Sequence, residues 1–462
     1  MKKKLLEKLV NRCLDTGADF SEIFCENKII KTYLLVDSKM DKVTTNISKG
    51  IGIRITKDDL KLYSSTSFLE EENLIETIDR LNSLLNGKRI LGNISLKEIK
   101  MNNKVNSNII KHSDYNEALK KEYLYRIDAL ARKYSDKVIQ VEVMLYESDQ
   151  QVTIANSLGK LANDVRMLTR LYINVITKEN DKTANSYKTF GSSGGDELLD
   201  TICIEQEVKK LVDTSIKKLS AKSCPGGDMP VIVGPGFGAV IIHEACGHAL
   251  EATSVARNLS VLCEKKGQKV ANDKVTIVDD GTMNNEWGTV SIDDEGNLTQ
   301  RNILIENGIF KKYFVDQLNS KKMGQDITGS GRRQNYRFAP TSRMNNTFLL
   351  PGKDSIEDMI KSISLGLYAA QMGGGSVDPI TGNFNFSVLE AYMIRDGKIA
   401  EMVNGVSLIG NTMDIMNQIE MISDDLKIET GWCGSESGSI PVTVGQPTIK
   451  VSNILVGGDN SD

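Results

Sequence analysis

The chain carries the sequence His-Glu-Ala-Cys-Gly-His at residues 243–248, and this motif restricts the local backbone more than any other feature. The chain has only three histidines, and two of them lie here, on either side of Glu244. Neutral imidazole is a common ligand of zinc and of other first-row metals. A carboxylate beside a ligating histidine is typical of sites that activate water for hydrolysis. The motif therefore predicts a metal site.

The spacing of the two histidines predicts a distorted helix. His243 and His248 are five residues apart, which separates them by about 140° on a regular α-helix. They cannot both reach one ion from an undisturbed α-helix. A local π-bulge, with its i to i+5 hydrogen bond, would return them to one face. Gly247 could ease this distortion because glycine tolerates unusual backbone angles. The alternative is a buried helix with two hydrogen-bonded histidines and no metal.

The residues before the motif predict how this helix begins. Residues 230–233, Pro-Val-Ile-Val, are rich in β-branched side chains and predict a short strand, and the glycines of 234–238 predict a turn. The apolar run 239–242 then predicts the start of a buried helix. Buried charges need partners or a metal, so the carboxylates that follow favour a polar site inside the fold.

The residues alone leave three candidates for a third ligand, namely Cys246, Glu251 and Cys433. Cys433 lies between Gly431 and Gly434, and we expect it on an exposed loop from which a thiolate reaches the site. Two histidines and one thiolate would leave the fourth position of a tetrahedral ion open for water. A free cysteine is usually just a small buried apolar residue. Residue chemistry therefore ranks Cys433 only slightly above Glu251.

Composition bounds the class of protein. The 462 residues suit two or three domains, and 40% hydrophobic with 26% charged residues describes an ordinary globular protein. The net charge is −4 and there is no basic block, so nucleic acid is not an expected partner. The sequence contains no run of about 18 apolar residues, so a membrane span is not expected. The seven cysteines show no paired spacing and predict reduced thiols in a cytoplasmic protein.

Hydrophobic periodicity predicts an α+β fold. We expect N-terminal α/β-type small domains, followed by a strand-rich, mostly antiparallel C-terminal domain that carries the metal-binding helix. The expected domains are 1–90, 112–222 and 226–460, with a polar linker at 101–114. The pattern predicts helices at 68–86, 115–134 and 196–220, and strands near 138–147, 151–156 and 166–178.

Four further features are given their simplest interpretation. The sequence Asp293-Asp294-Glu295 predicts a solvated acidic turn, and His112 is expected to be exposed. Arg332, Arg333 and Arg343 favour surface or interdomain salt bridges over the anchoring of a substrate carboxylate. The glycines at 373–375 suit either a hairpin turn or the close approach of a peptide strand.

The chain resembles the TldD/PmbA family of metalloproteases over almost its full length. In the N-terminal part the resemblance rests on 17–22 and 50–54. In the C-terminal part it rests on the 243–248 motif with Leu250 and Glu251, and on 293–296, 331–333, 343–347, 373–375, 405–410 and 441–448. The family contains catalytic TldD-type chains and PmbA-type chains that lack the metal ligands. The stretch 252–257 departs from the pattern, because it lacks an acidic residue found in some relatives.

The resemblance implies that His243, His248 and Cys433 bind the metal and that Glu244 is the general base. It implies a metallopeptidase of the HExxxH type that cuts short or unfolded peptides. The expected cofactor is one divalent ion per chain, with zinc as the first choice and iron as the alternative. The expected partner is a second copy or a PmbA-type subunit. The competing interpretations are a non-catalytic peptide-binding subunit with a structural metal, and another metal-dependent amide hydrolase that acts on modified peptides.

Overall fold

The computed structural model describes residues 1–100 and 112–458. The fold is α+β and strand-rich, as the sequence predicts. The helices of the described ranges are α1 Lys3–Arg12, α2 Glu71–Asn82, α3 Glu117–Tyr134, α4 Glu197–Thr201, α5 Ile204–Leu219, α6 Val240–Ile242, α7 Ala252–Val255, α8 Gln317–Met323, α9 Ile356–Lys361 and α10 Thr412–Gln418.

The strands are of very different lengths. In the first half of the chain they are β1 Phe20–Val36, β2 Lys39–Lys57, β3 Leu60–Thr66, β4 Lys97–Glu98, β5 Val138–Asn156, β6 Lys160–Glu179, β7 Lys182–Ser192, β8 Lys222–Ser223 and β9 Gly227–Val233. In the second half they are β10 Ile277–Asp280, β11 Arg301–Glu306, β12 Ile309–Phe310, β13 Gly331–Arg332, β14 Thr341–Ser342, β15 Asn346–Leu349, β16 Leu365–Val377, β17 Asn383–Arg395, β18 Lys398–Asn404, β19 Ser407–Asn411, β20 Ile419–Ile422, β21 Lys427–Ser435, β22 Gly438–Gln446 and β23 Ile449–Gly457.

One seven-stranded sheet is shared by the N-terminal and central parts of the chain. Its order is β3-β2-β1-β5-β6-β4. Strand β7 also pairs with β6, on the side opposite β5. Strand β1 pairs with β2 on one side and with β5 on the other, with Glu22 opposite both Arg54 and Asn156. The expected boundary between 1–90 and 112–222 therefore lies inside one sheet, and the domain boundaries stay a prediction.

The C-terminal part contains two larger sheets and one short ribbon. The six-stranded sheet has the order β12-β11-β10-β15-β22-β21, and β13 pairs with β14. The eight-stranded sheet runs β16-β9-β23-β19-β17-β18-β8, with β20 beside β23. Because β16 also pairs with β17, five of these strands close into a ring. Most pairings are antiparallel, as predicted, and the parallel exceptions are β15–β22, β16–β9 and β18–β8.

Several elements differ from the expected ones. The helix expected over 196–220 is divided into α4 and α5 at Ile202, which has an extended conformation. The two strands expected at 138–147 and 151–156 are the single strand β5. On helix α3 the buried side chains include Lys120 and Leu124, whereas Leu119 is 53% exposed.

Two polar segments expected in solvent are buried. Asp293, Asp294 and Glu295 are at most 2% exposed, because the turn lies against the buried Arg54 of the first half of the chain and Arg333 of the second. His112 is 5% exposed, and its two ring nitrogens hydrogen-bond to Asp149 and Thr169. Residues 101–111 of the expected linker lie outside the described residues. In the described ranges, no helix is long and apolar enough to cross a membrane, and all seven cysteines are free.

Candidate metal centre

The His-Glu-Ala-Cys-Gly-His motif forms the predicted π-turn. Strand β9 leads into a 3-10 turn at Gly236–Ala239, then into α6 and a π-helical turn over His243–Gly247. The backbone N–H of His248 donates to the carbonyl of His243, which is the i to i+5 bond that defines this conformation. The two imidazole rings are consequently neighbours in an edge-to-face arrangement, with centroids 5.1 Å apart and planes at 87°.

Gly247 is needed for space rather than for unusual dihedral angles. Its φ of −57° and ψ of −58° are right-handed helical values that any residue adopts. A Cβ at this position would overlap with the sulfur of Met344, which packs directly on the turn. The structural reason for this glycine is therefore a close side-chain contact, and the expectation based on its backbone freedom is wrong.

Cys433 comes from a different sheet, 190 residues after His243. It lies on β21, opposite Ile440 of β22, and is 4% exposed. The exposed loop expected for Cys433 is therefore wrong. Its flanking glycines are parts of an edge strand, and pairing with β22 turns the thiol inward.

The three donor atoms converge on one point. The sulfur of Cys433 lies 3.2 Å from Nε2 of His243 and 3.2 Å from Nε2 of His248. One ligand atom from each residue lies within 4.8 Å of the others. A tetrahedral zinc ion with ordinary bond lengths separates nitrogen and sulfur ligands by about 3.6 Å. The cluster is thus within a few tenths of an ångström of a metal-binding arrangement, and the residues fit a divalent ion.

The local electrostatics favour a thiolate at Cys433. Burial alone would raise the pKa of this thiol, but the facing imidazoles of His243 and His248 lower it to about 3. Burial acts to lower the pKa of His248, yet Glu251 and Cys433 raise it well above its ordinary value. A thiolate is the form of cysteine that binds metals. The neighbours of the sulfur therefore prepare it as a ligand.

The remaining polar residues surround this cluster. The carboxylate of Glu244 lies 3.7 Å from Nε2 of His248, and both side chains keep contact with solvent. Glu251 is directed to the opposite nitrogen of the same ring, with Oε1 at 3.1 Å from Nδ1 of His248. Cys246 is buried, and burial raises its pKa to about 12. Of the three candidates for a third ligand, only Cys433 lies between the two histidines.

Sequence reasoning missed two residues that build this centre. Met344 fills the space beside Gly247, and Arg343 hydrogen-bonds to the carbonyl of Cys433. Both come from the segment before β15, which is about 100 residues from either part of the site. Their signal in the sequence was the stretch 343–347 of the resemblance, but Arg343 was expected in a surface or interdomain salt bridge, whereas its side chain is fully buried beside the centre.

Comparison with known proteins gives matches along most of the chain. Models of the PmbA/TldA metallopeptidase family match residues 21–84 as domain 1, 110–219 as the central domain and 226–458 as the C-terminal domain. A metalloprotease TldD homolog of Buchnera aphidicola is 34% identical over 98% of this chain and 95% of its own length. The Haemophilus influenzae homolog is 35% identical over 96% and 93%. A zinc metalloprotease TldD homolog of Saccharolobus solfataricus is 27% identical over 98% and 99%.

Solved structures share the fold at lower identity. A Thermotoga maritima crystal structure superposes with a TM-score of 0.78 at 20% identity, over 98% of this chain and 99% of that one. TldE from Thermococcus kodakarensis gives a TM-score of 0.73 at 20% identity, over 99% of both chains. The relatives and the donor cluster together support a metallopeptidase-type role with a metal cofactor. The chain belongs to the PmbA/TldD metallopeptidase family.

Proposed function

We propose that this chain is a peptidase that hydrolyses short or unfolded peptides, with a metal held by His243, His248 and Cys433 and with Glu244 as general base. The observation that carries the proposal is the convergence of three donor atoms beside the partly exposed carboxylate of Glu244. Three protein ligands leave a position for water and substrate, as in catalytic rather than structural zinc sites.

Each side chain has a distinct task in this mechanism. A bound divalent ion would lower the pKa of water and polarise the scissile carbonyl. Glu244 accepts the proton of the attacking water and delivers it to the leaving amine, so that the amide bond breaks as the new carbon–oxygen bond forms. Glu251 holds the ring of His248 through Nδ1 and keeps Nε2 directed into the cluster.

Zinc is the proposed ion, with iron as the alternative. Two imidazoles and one thiolate are ligands that zinc prefers. The name of the Saccharolobus solfataricus relative, a zinc metalloprotease, supports the same choice. Elemental analysis of protein purified without added metal would distinguish the two ions.

The variant Glu244→Gln tests the assignment of the base. It keeps the size of the side chain and removes its basicity, so we expect full metal content and a fall in peptide hydrolysis of at least about 100-fold. The control is Glu436→Gln, a half-exposed carboxylate on the same hairpin as Cys433. Wild-type turnover in Glu244→Gln would remove this residue from the mechanism.

We also propose that the chain pairs with a second copy of itself or with a PmbA-type subunit. The resemblance in fold to TldE supports the second arrangement. Light scattering on the purified chain tests self-association, and a monomer at all concentrations would leave only the pairing with another subunit. Co-purification with a PmbA-type chain would then test that pairing.

A further inference from the structure

Arg343 is a buried cation that contacts both parts of the metal centre. Its side chain is fully buried. Nη2 donates to the carbonyl of Cys433 at 2.6 Å, and Nη1 donates to Ser437 Oγ and the carbonyl of Gly438, both at 3.0 Å. One guanidinium therefore fixes the tip of the β21–β22 hairpin next to the thiolate. A lysine could not reproduce this set, because it lacks the planar arrangement of donors.

The opposite side of the same guanidinium faces the histidine half of the centre. Nε of Arg343 lies 3.6 Å from Oε1 of Glu251, and that oxygen lies 3.1 Å from Nδ1 of His248. This Nε has no hydrogen-bond partner among the described residues, so its charge is available to Glu251. A continuous line of contacts joins the backbone of Cys433 to the ring of His248 through Arg343 and Glu251.

The segment that carries Arg343 is itself fixed. The backbone N–H of Arg343 donates to Ser330, and the N–H of Asn345 donates to Asp279. Met344, between them, packs against Gly247 in the π-turn. The segment thus holds the thiolate strand and the histidine turn at a constant separation. The full burial of Arg343 also removes it from contact with any substrate carboxylate.

We propose that Arg343 is a positioning residue of the metal centre, which orients Cys433 directly and His248 through Glu251. This inference rests on the proposed metal site. Groups that orient metal ligands from the next layer typically change metal affinity by about 10- to 100-fold when they are removed. The role of Arg343 is therefore measurable without any substrate.

The test compares Arg343→Lys with Arg333→Lys. Arg333 is a second fully buried arginine, and it pairs with Glu22 rather than with a residue of the metal centre. Zinc affinity is measured by competition with a chelating dye, and the cobalt-substituted proteins are compared by the thiolate-to-cobalt charge-transfer band. We expect Arg343→Lys to lower zinc affinity by about 10- to 100-fold and to change the cobalt spectrum. Arg333→Lys should leave both unchanged. Equal affinities and spectra in the two variants would overturn the proposal.

A second variant keeps the inference testable if Arg343→Lys does not fold. Glu251→Gln retains an oxygen near His248 and removes the charge that faces Arg343, so we expect about tenfold weaker zinc binding. Wild-type affinity in Glu251→Gln would remove the path through Glu251. If wild-type protein itself bound no zinc or cobalt, the proposed metal site would fail. Tight binding by the wild type and by every variant would overturn only the positioning role.

Discussion

At the scale of single residues, the centre brings together side chains that have no local reason to meet. His243 and His248 are held by one π-turn, whereas Cys433 arrives on an edge strand of another sheet. The two histidines and Glu244 could be proposed from the sequence, because histidine is scarce in this chain and two of its three copies bracket Glu244. Cys433 could not be separated from Glu251 by residue chemistry, because its position depends on where the β21–β22 hairpin lies, and this is set by the long-range pairing of β22 with β15.

A buried carboxylate near this region gives a prediction about pH. Asp279 accepts hydrogen bonds through Oδ1 from Asn345 and Thr347, while its Oδ2 has no hydrogen-bond partner among the described residues. Burial raises the pKa of Asp279 from 3.8 to about 6, although the hydrogen bonds act in the opposite direction. The ionised form is therefore less favourable in the folded chain than in the unfolded chain.

Proton linkage determines the direction in which the ionisation of Asp279 changes the stability of the fold with pH. Because the folded pKa is the higher one, the contribution of Asp279 to stability is fully present below about pH 4 and is lost as the pH rises through about 6. The free energy of unfolding of wild type should therefore fall by about 3 kcal/mol relative to Asp279→Asn over this range. Chemical denaturation at several pH values measures the difference. A difference that is independent of pH would contradict the raised pKa.

At the scale of elements, the π-turn depends on the fit between Gly247 and Met344. In Gly247→Ala the new methyl group would overlap with the sulfur of Met344. Overpacking of this kind costs about 1–3 kcal/mol. We expect a lower thermal midpoint and weaker zinc binding, because the displaced turn moves His248 away from Cys433.

The double variant Gly247→Ala/Met344→Ala separates this clash from other effects. Removing the methionine makes room for the methyl group, so the two changes should destabilise the protein by less than the sum of their single effects. Strict additivity would show that Met344 is not the reason for glycine at this position.

Element boundaries illustrate what local patterns can predict. The helices α2 and α3 and the strand β9 follow from hydrophobic periodicity. The sequence predicted a break between strands at 138–147 and 151–156, but the residues between them continue β5, with Gln150 opposite Lys28 of β1. On α3, Lys120 lies inside the fold, where it pairs with Glu147 and Asp196, and a local pattern does not predict such a buried lysine.

At the scale of the whole molecule, a buried ionic cluster joins the first sheet to the C-terminal part of the chain. Glu22 of β1 pairs with Arg54 of β2 and with Arg333, which also donates to the carbonyl of Asp294. Nη2 of Arg54 also forms an ion pair with Oε1 of Glu295, at 2.7 Å. The sequence allowed an interdomain salt bridge for Arg333. It could not predict the burial of the acidic turn, because that depends on arginines as distant in the chain as Arg54, which pairs with Glu295.

The variant Glu22→Gln tests the importance of this cluster. Removing one partner of a buried ion pair leaves an uncompensated charge and costs about 3–5 kcal/mol. We therefore expect a large loss of stability by chemical denaturation. The comparison is Asp79→Asn, which breaks a half-exposed pair with Arg12 and should cost about 1 kcal/mol or less. Equal, small losses in both variants would show that the cluster does not stabilise the chain.

Metal content shows whether His243, His248 and Cys433 form a metal site. We would measure it by elemental mass spectrometry on wild type, Cys433→Ala and Cys203→Ala, all purified without added metal. Cys203 is an exposed free cysteine that is not part of the donor cluster, so its variant controls for the loss of any thiol. We expect about one ion per chain in wild type and in Cys203→Ala, and loss of that ion in Cys433→Ala. Equal metal in all three proteins, or none in wild type, would contradict a site built from His243, His248 and Cys433.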